Sequence, residues 1–199
     1  MRVSPSIRQA LAMTALCVSA QALAEPAKIG MITTLSGGGA SLGIDIRDGF
    51  ELAVKERNGQ LGGIDVEMMI VDDGRKVDNA KQIATRMVER DQVDVMTGIV
   101  WSNLAMAVIP GVTADGTIYI SPNAGPSLLA GKRCHPNYFN VAWQNDNLHE
   151  AMGQYVTDQG YQNVYLMAPN YPAGKDALAG FKRFYQGDIA GEVYTKLDQ

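Results

Sequence analysis

Ile29-Gly30-Met31-Ile32-Thr33-Thr34-Leu35-Ser36-Gly37-Gly38-Gly39-Ala40-Ser41-Leu42-Gly43-Ile44 runs from an apolar segment through a glycine-rich polar loop into a helical pattern. That is strand, loop, helix. Glycines let a ligand approach the backbone, and a helix N-terminus offers unused N–H groups to an anion. Two nucleotide readings of the loop fail on spacing. No Gly-Lys-Ser/Thr follows, so it is not a P-loop. A dinucleotide turn wants an acidic residue roughly 20 positions on, whereas Asp72 lies 35 positions after Gly37.

The same unit repeats outward from this stretch. Residues 28–33 predict a buried strand. In 44–57, Ile46, Phe50, Ala53 and Val54 fall on one helical stripe. Asn58-Gly59 and Gly62-Gly63 are turn signals. Ile64, Val66, Met68 and Ile70 alternate as a second strand that closes at Asp72-Asp73-Gly74. A helix over 78–90 carries Ala80, Ile83, Ala84, Met87 and Val88 on its apolar face. A strand over 93–100 follows, then a helix from 102 to about 109, where Pro110-Gly111 predicts a break. Residues 117–120 read as a strand, 123–132 as loop and 139–142 as a short strand. The pattern then restarts with helix 148–158, strand 164–168, helix 176–185 and strand 192–197. Strict β-α alternation predicts an α/β fold, a parallel sheet with helices on both faces. Ligands in such sheets bind at the carboxyl ends of the strands. The loops there are 33–43, 72–78, 100–103, 121–127 and 169–175.

Residues 1–24 read as a secretory signal peptide. Arg2 and Arg8 precede a run of small apolar residues, and Ala22-Leu23-Ala24 offers a cleavage site after Ala24. Cys17 follows Leu16, a poor context for lipid attachment. No later run is long and apolar enough to span a bilayer. The expected destination is an extracytoplasmic compartment, the periplasm in a cell with two membranes. Removing Arg2 and Arg8 from the 17 basic residues leaves 15 against 21 acidic ones, a net charge of −6. With no basic run, nucleic acid is not an expected partner. Cys134 then stands alone, either a buried apolar residue or one whose partner lies beyond Gln199.

Catalytic constellations are not apparent, and neither a metal nor a cofactor is expected. His135 and His149 lack metal-ligand spacing, and no G-x-S-x-G elbow occurs. Asp72-Asp73 reads as a turn and helix-start signal. The polar loops suit binding instead. Ser36 lies on the first loop. Ser102 opens the third helix, where its hydroxyl and the adjacent N–H groups suit a carboxylate, although the position equally suits a plain N-cap. Asn123-Ala124-Gly125 offers backbone donors and an amide. Trp101 and Tyr171 are aromatics at strand ends, suited to packing or to ligand contact.

Together these pieces resemble the type I periplasmic solute-binding proteins of ABC importers, the Leu/Ile/Val-binding group. Leu35-Ser36-Gly37 matches the family's P-L-S-G loop, with Thr34 in place of proline. Gly43 and Gly49 match its glycine spacing, and Leu52-Ala53-Val54, Asn58 and Gly62-Gly63-Ile64 follow in order. Asp72-Asp73, Ser102-x-x-Ala105-x-Ala107, Ser121-Pro122 and Tyr171-x-x-Gly174 complete the resemblance. It implies a two-lobed protein that closes over a solute and delivers it to a membrane permease. The first lobe would span about 25–142 and the second would begin near Trp143. Members are about twice this length, so 143–199 would be part of a second lobe left incomplete at Gln199.

Carried over residue by residue, the resemblance makes Ser102 the serine that holds the ligand carboxylate. It makes Asn123, Ala124 and Gly125 the loop that grips the ligand, and Tyr171 the second-lobe tyrosine that covers it. Gly125 stands where amino-acid binders usually carry a threonine that contacts carboxylate and ammonium. With Trp101-Ser102-Asn103, this loop looks more like the subgroup that takes up aromatic carboxylates. The expected protein is thus a monomeric binder of an aromatic acid or a branched-chain or other amino acid, not an enzyme. The alternative on the same fold is the ligand-sensing domain of a receptor.

Overall fold

In the computed structural model, which describes residues 25–197, eight strands and six helices follow one another. They are β1 (Ala27–Thr33), α1 (Ala40–Glu56), β2 (Gln60–Leu61), β3 (Ile64–Asp72), α2 (Val77–Glu89), β4 (Val95–Thr97) and α3 (Ser102–Ala114). After these come β5 (Ile118–Ser121), α4 (Ser127–Ala130), β6 (Tyr138–Asn140), α5 (Asn147–Asp158), β7 (Asn163–Pro169), α6 (Pro172–Phe184) and β8 (Asp188–Thr195). The predicted signal peptide and its cleavage site lie outside the described residues.

Six strands form one sheet in the order β2-β3-β1-β4-β5-β6, and β7 pairs with β8 in a second. β1 has both edges occupied: Ile29 sits opposite Met68 of β3 and Val95 of β4, both in parallel register. Its residues from Ile29 to Thr33 are all buried, so it reads as a continuous apolar run rather than an alternation. β2 departs from the all-parallel expectation. It pairs antiparallel with β3 through the Gly62-Gly63 turn, Leu61 opposite Ile64.

The main core lies between this sheet and α2 and α3. Ile32, Met96 and Tyr119 from the strands meet Ala80, Ala84 and Met87 of α2 and Leu104, Val108 and Ile109 of α3. A separate core of Leu166, Ala168, Leu178, Phe181 and Tyr185 joins α6 to the β7–β8 sheet. α5 packs along α6.

Four differences from the sequence pattern have physical causes. α3 does not break at Pro110 but continues to Ala114. Val108, Ile109, Val112 and Thr113 keep one buried stripe across the proline. Burying each large aliphatic is worth about 1.5–3 kcal/mol, enough together to outweigh a proline cost of about 3 kcal/mol. β4 is shorter than the 93–100 run, because the chain leaves the ladder at Gly98 and the Ile99 N–H donates to the Tyr119 hydroxyl instead (3.2 Å). α6 begins at Pro172, earlier than expected, with proline in the first turn, where its missing N–H costs nothing. α1 buries only Gly43. Its stripe of Ile46, Phe50 and Val54 is half-buried and Ala53 is exposed, so the pattern marks a face that the described residues leave largely uncovered. Cys134 is likewise an exposed free thiol rather than a core residue.

Gly43 is where α1 meets the loop after β1. A Cβ there would overlap the Thr34 carbonyl oxygen and stand 2.7 Å from Thr33 Oγ1, whereas a Cβ on Gly49, one and a half turns on, would meet nothing. Gly43→Ala is therefore expected to cost about 1–3 kcal/mol through overpacking. Gly49→Ala should instead stabilise by roughly 0.5–1 kcal/mol, the helix-interior preference for alanine. Chemical denaturation of the two full-length variants checks this, and equal effects would contradict the packing assigned to α1.

Candidate functional site

The carboxyl ends of β1, β3, β4 and β5 bring four loops to one edge of the larger sheet. The β7–α6 turn faces them. Between the two sheets lies a cavity of about 360 Å³, within the size range of small-molecule sites. Ser102, Asn123, Ala124 and Tyr171 all line it. Four of the seven residues expected at the site are thus brought together.

Ser102 is the first helical residue of α3, with Trp101 as N-cap. The Trp101 carbonyl accepts the Ala105 N–H at 2.9 Å. No side-chain cap bond is made there, so the plain-cap reading of Ser102 does not describe its hydroxyl. Ser102 is 3% exposed. Its Oγ accepts a hydrogen bond from Asn145 Nδ2 at 3.1 Å, which leaves its own proton to donate elsewhere. The helix's first N–H groups have no partner within the helix and carry the positive end of its dipole. Asn123 Nδ2 donates to the Val100 carbonyl at 3.0 Å, holding the strand-end backbone beside the cavity. The buried Ala124 carbonyl accepts the Ser121 hydroxyl at 2.6 Å.

Trp101, Ser36 and Gly125 stand behind the wall rather than in it. The Trp101 ring lies 6.4 Å from that of Tyr171 and tilted to it by 59°. On it sits the Arg75 guanidinium, 3.8 Å from the ring centre, a cation–π contact. The glycine loop packs edge-on to the same ring, since a Cβ on Gly39 would overlap Trp101 Cζ2. Ser36 is exposed and its hydroxyl donates to Asp72. Gly125 is buried, and a Cβ there would overlap the Trp143 carbonyl oxygen. Burial pushes the Tyr171 phenol above its ordinary value of 10.0, with Arg75 pulling the other way.

Sequence reasoning missed Asn145, Trp143, His149 and Met167, all on the cavity wall. His149 lies in the first turn of α5. The signal available was the polar Asn145-Asp146-Asn147 run just before that helix, which reads locally as nothing more than a helix start. Chemically, the wall combines the buried Ser102 hydroxyl, two amides, the His149 imidazole and the Tyr171 phenol with apolar surface. The neighbour of the Ser102 hydroxyl is an amide, which cannot take its proton as a base would.

Comparison with known proteins bears on this arrangement. Residues 26–199 match a family model described as periplasmic binding protein. Leu/Ile/Val-binding protein homolog 6 of Brucella abortus is 27% identical over 186 residues, covering 92% of this chain and 46% of its own length. The chain therefore spans about half the length of the curated relatives it matches. An ABC transporter solute-binding protein from R. palustris, solved in complex with benzoate, superposes with a TM-score of 0.82. It shares 29% identity, with 87% of this chain and 49% of that one covered. A solute-binding protein from Rhodopseudomonas palustris BisB5, solved with 3,4-dihydroxybenzoic acid, gives a TM-score of 0.79 at 26% identity, covering 86% and 47%.

The Asp72 anchor beneath the glycine loop carries a pH signature. Its burial alone would raise the carboxyl. Hydrogen bonds from the Ser36 hydroxyl and the N–H groups of Leu35, Gly74 and Ser36 outweigh that and hold it below the ordinary 3.8. The Leu35 and Gly74 bonds are each 2.8 Å. A depressed folded-state value stabilises above the unfolded value and is lost as pH falls through the folded one. The wild type should therefore be more stable than Asp72→Asn at neutral pH, and the gap should close on acidification below 3.8. Denaturation midpoints measured from neutral pH downward test this; a gap independent of pH would contradict the anchor.

Proposed function

The chain belongs to the periplasmic binding protein family, and from that premise we propose that the protein captures a small aromatic carboxylate and hands it to an ABC permease. The observation that carries the reading is the buried Ser102 hydroxyl. Its acceptor side is occupied by Asn145 and its proton is left over, at the positive end of α3 inside the cavity. A carboxylate is the ligand group that such a donor set completes, because hydrogen bonds to a charged acceptor are the stronger kind.

The case for an aromatic acid over an amino acid rests on Gly125. An ammonium group needs an acceptor, and a threonine side chain at that position would supply one. The Trp143 carbonyl occupies the space that any Cβ would need. The cavity wall offers instead the flat or bulky apolar surfaces of Trp143, Leu148, Met167 and Tyr171. A branched-chain amino acid is the second reading, favoured by the likeness to the Leu/Ile/Val-binding homologue. In either case Asn123, Ala124 and Gly125 shape the floor, Tyr171 and Trp101 close one end, and Ser36 holds the rim through Asp72. Binding without turnover, a periplasmic location after cleavage at Ala24, a lobe boundary near residues 142–143 and a monomeric state complete the proposal.

Isothermal titration of the full-length protein with benzoate and with isoleucine tests it. Benzoate is expected to bind and isoleucine to bind far more weakly. Ser102→Ala should weaken benzoate by about 1.5–3 kcal/mol, the worth of a hydrogen bond to a charged group. Tight isoleucine binding without benzoate binding would select the second reading, and an unchanged benzoate affinity in Ser102→Ala would remove the role given to Ser102.

A further inference from the structure

Asn145 reaches Ser102 from a segment that has its own constraint. Asp176, in the second turn of α6, takes three hydrogen bonds. Its Oδ1 accepts the Ser127 hydroxyl at 2.6 Å, and its Oδ2 accepts the Ser127 N–H at 3.0 Å and Asn145 Nδ2 at 3.1 Å. Ser127 opens α4, which follows the larger sheet's β5, whereas Asp176 belongs to the helix packed on the β7–β8 sheet. The carboxylate therefore bridges the two sheet units. Asn145, 9% exposed, lies between its carboxylate and the ligand-facing serine.

The direction of this chain follows from chemistry. A carboxylate only accepts, so the side of the Asn145 amide that faces Asp176 must be the NH2 side. That NH2 has two protons. One goes to Asp176 and the other to Ser102 Oγ. Were the amide turned over, its carbonyl oxygen would face the carboxylate in repulsion and would claim the Ser102 proton for itself. We propose that Asp176 is a positioning residue for the ligand: by fixing the orientation of the Asn145 amide it commits Ser102 to act as a donor, and it does so only where the two units meet. The inference deepens the carboxylate-binding reading and rests on it. It adds a cause for ligand charge selectivity and a physical link between closure and the donor state of the site.

In the full-length protein, the measured quantity is the ratio of affinities for benzoate and benzamide. Benzamide is nearly the same shape but can offer its own NH2 to Ser102 Oγ. Asp176→Leu keeps the rough size of the side chain but removes both acceptor oxygens, which frees the Asn145 amide to turn. The benzoate-to-benzamide preference is expected to fall by about tenfold or more, the scale of one hydrogen bond to a charged group. A loss of packing alone would weaken both ligands alike and leave the ratio in place. In a Ser102→Ala background the Asp176 substitution should change the ratio no further, because the residue it acts through is gone. Asn145→Ala removes the relay itself and is expected to lower the ratio in the same way, so it decides the matter if Asp176→Leu does not melt cooperatively. Wild-type ratios in both Asp176→Leu and Asn145→Ala, with Ser102→Ala still weakening benzoate, would overturn the inference alone. Failure of the wild type to bind benzoate, or an indifferent Ser102→Ala, would remove the carboxylate reading and this inference with it.

Discussion

Gly125 and Asn145 share a backbone hydrogen bond, the Asn145 N–H donating to the Gly125 carbonyl at 2.8 Å. The site depends on that contact. It ties the loop after β5 to the segment that leads into α5, at a place where no side chain fits between the two backbones. From there Asn145 projects its amide to Ser102, and Asp176 meets it from α6. Had position 125 carried a β-carbon, the 143–145 segment would have to move away and the amide would lose its reach. One backbone contact thus sets both the shape of the cavity floor and the donor state of the serine above it.

The polar groups of the cavity are mostly neutral, and this has an energetic logic. Burying a cation to meet a carboxylate would cost desolvation that the pairing need not repay. A hydroxyl, amides and the first N–H groups of a helix are already oriented and cost less to desolvate. For the solute capture and release proposed here, not holding the solute with a fully buried ion pair is an advantage. The Arg75 guanidinium stacks on the Trp101 ring and is not among the residues that line the cavity. Its field still extends to the Tyr171 phenol, so the end of the cleft that Trp101 and Tyr171 close has a positive bias without a charged wall.

What was legible in the sequence was what local periodicity encodes. β1 reads as a run because both its faces are covered, and α2 reads as amphipathic because Ala80, Ile83, Ala84 and Met87 do face the core. The helix through Pro110 was not legible, since a local rule about proline lost to burial contributed by strands far away in sequence. α1 shows the opposite error: its stripe is real, but the described residues do not bury it. Of the site, Ser102, Asn123, Ala124 and Tyr171 were legible because each sits at a strand end, where topology alone converges the loops. Asn145 and Asp176 were not, because their side-chain partners lie 31 to 49 positions away. Nothing in the local pattern separates them from an ordinary helix start and an ordinary solvent-facing acid.

That separation explains how selectivity arises on such a scaffold. On the proposed reading, the residue that meets the ligand sits on the larger sheet's α3, the amide that bonds it comes from between the units, and the carboxylate that bonds that amide comes from the helix of the smaller sheet. A ligand that needs a donor and a pair of units brought together favour the same arrangement of hydrogen bonds. A conformational change counts as ligand-driven only where the ligand interacts differently with the two states. On the proposal made for Asp176, that difference would have an atomic origin. Without Asp176 at the interface, the Asn145 amide has two comparable orientations, and Ser102 has as much reason to give its proton to that amide as to a solute.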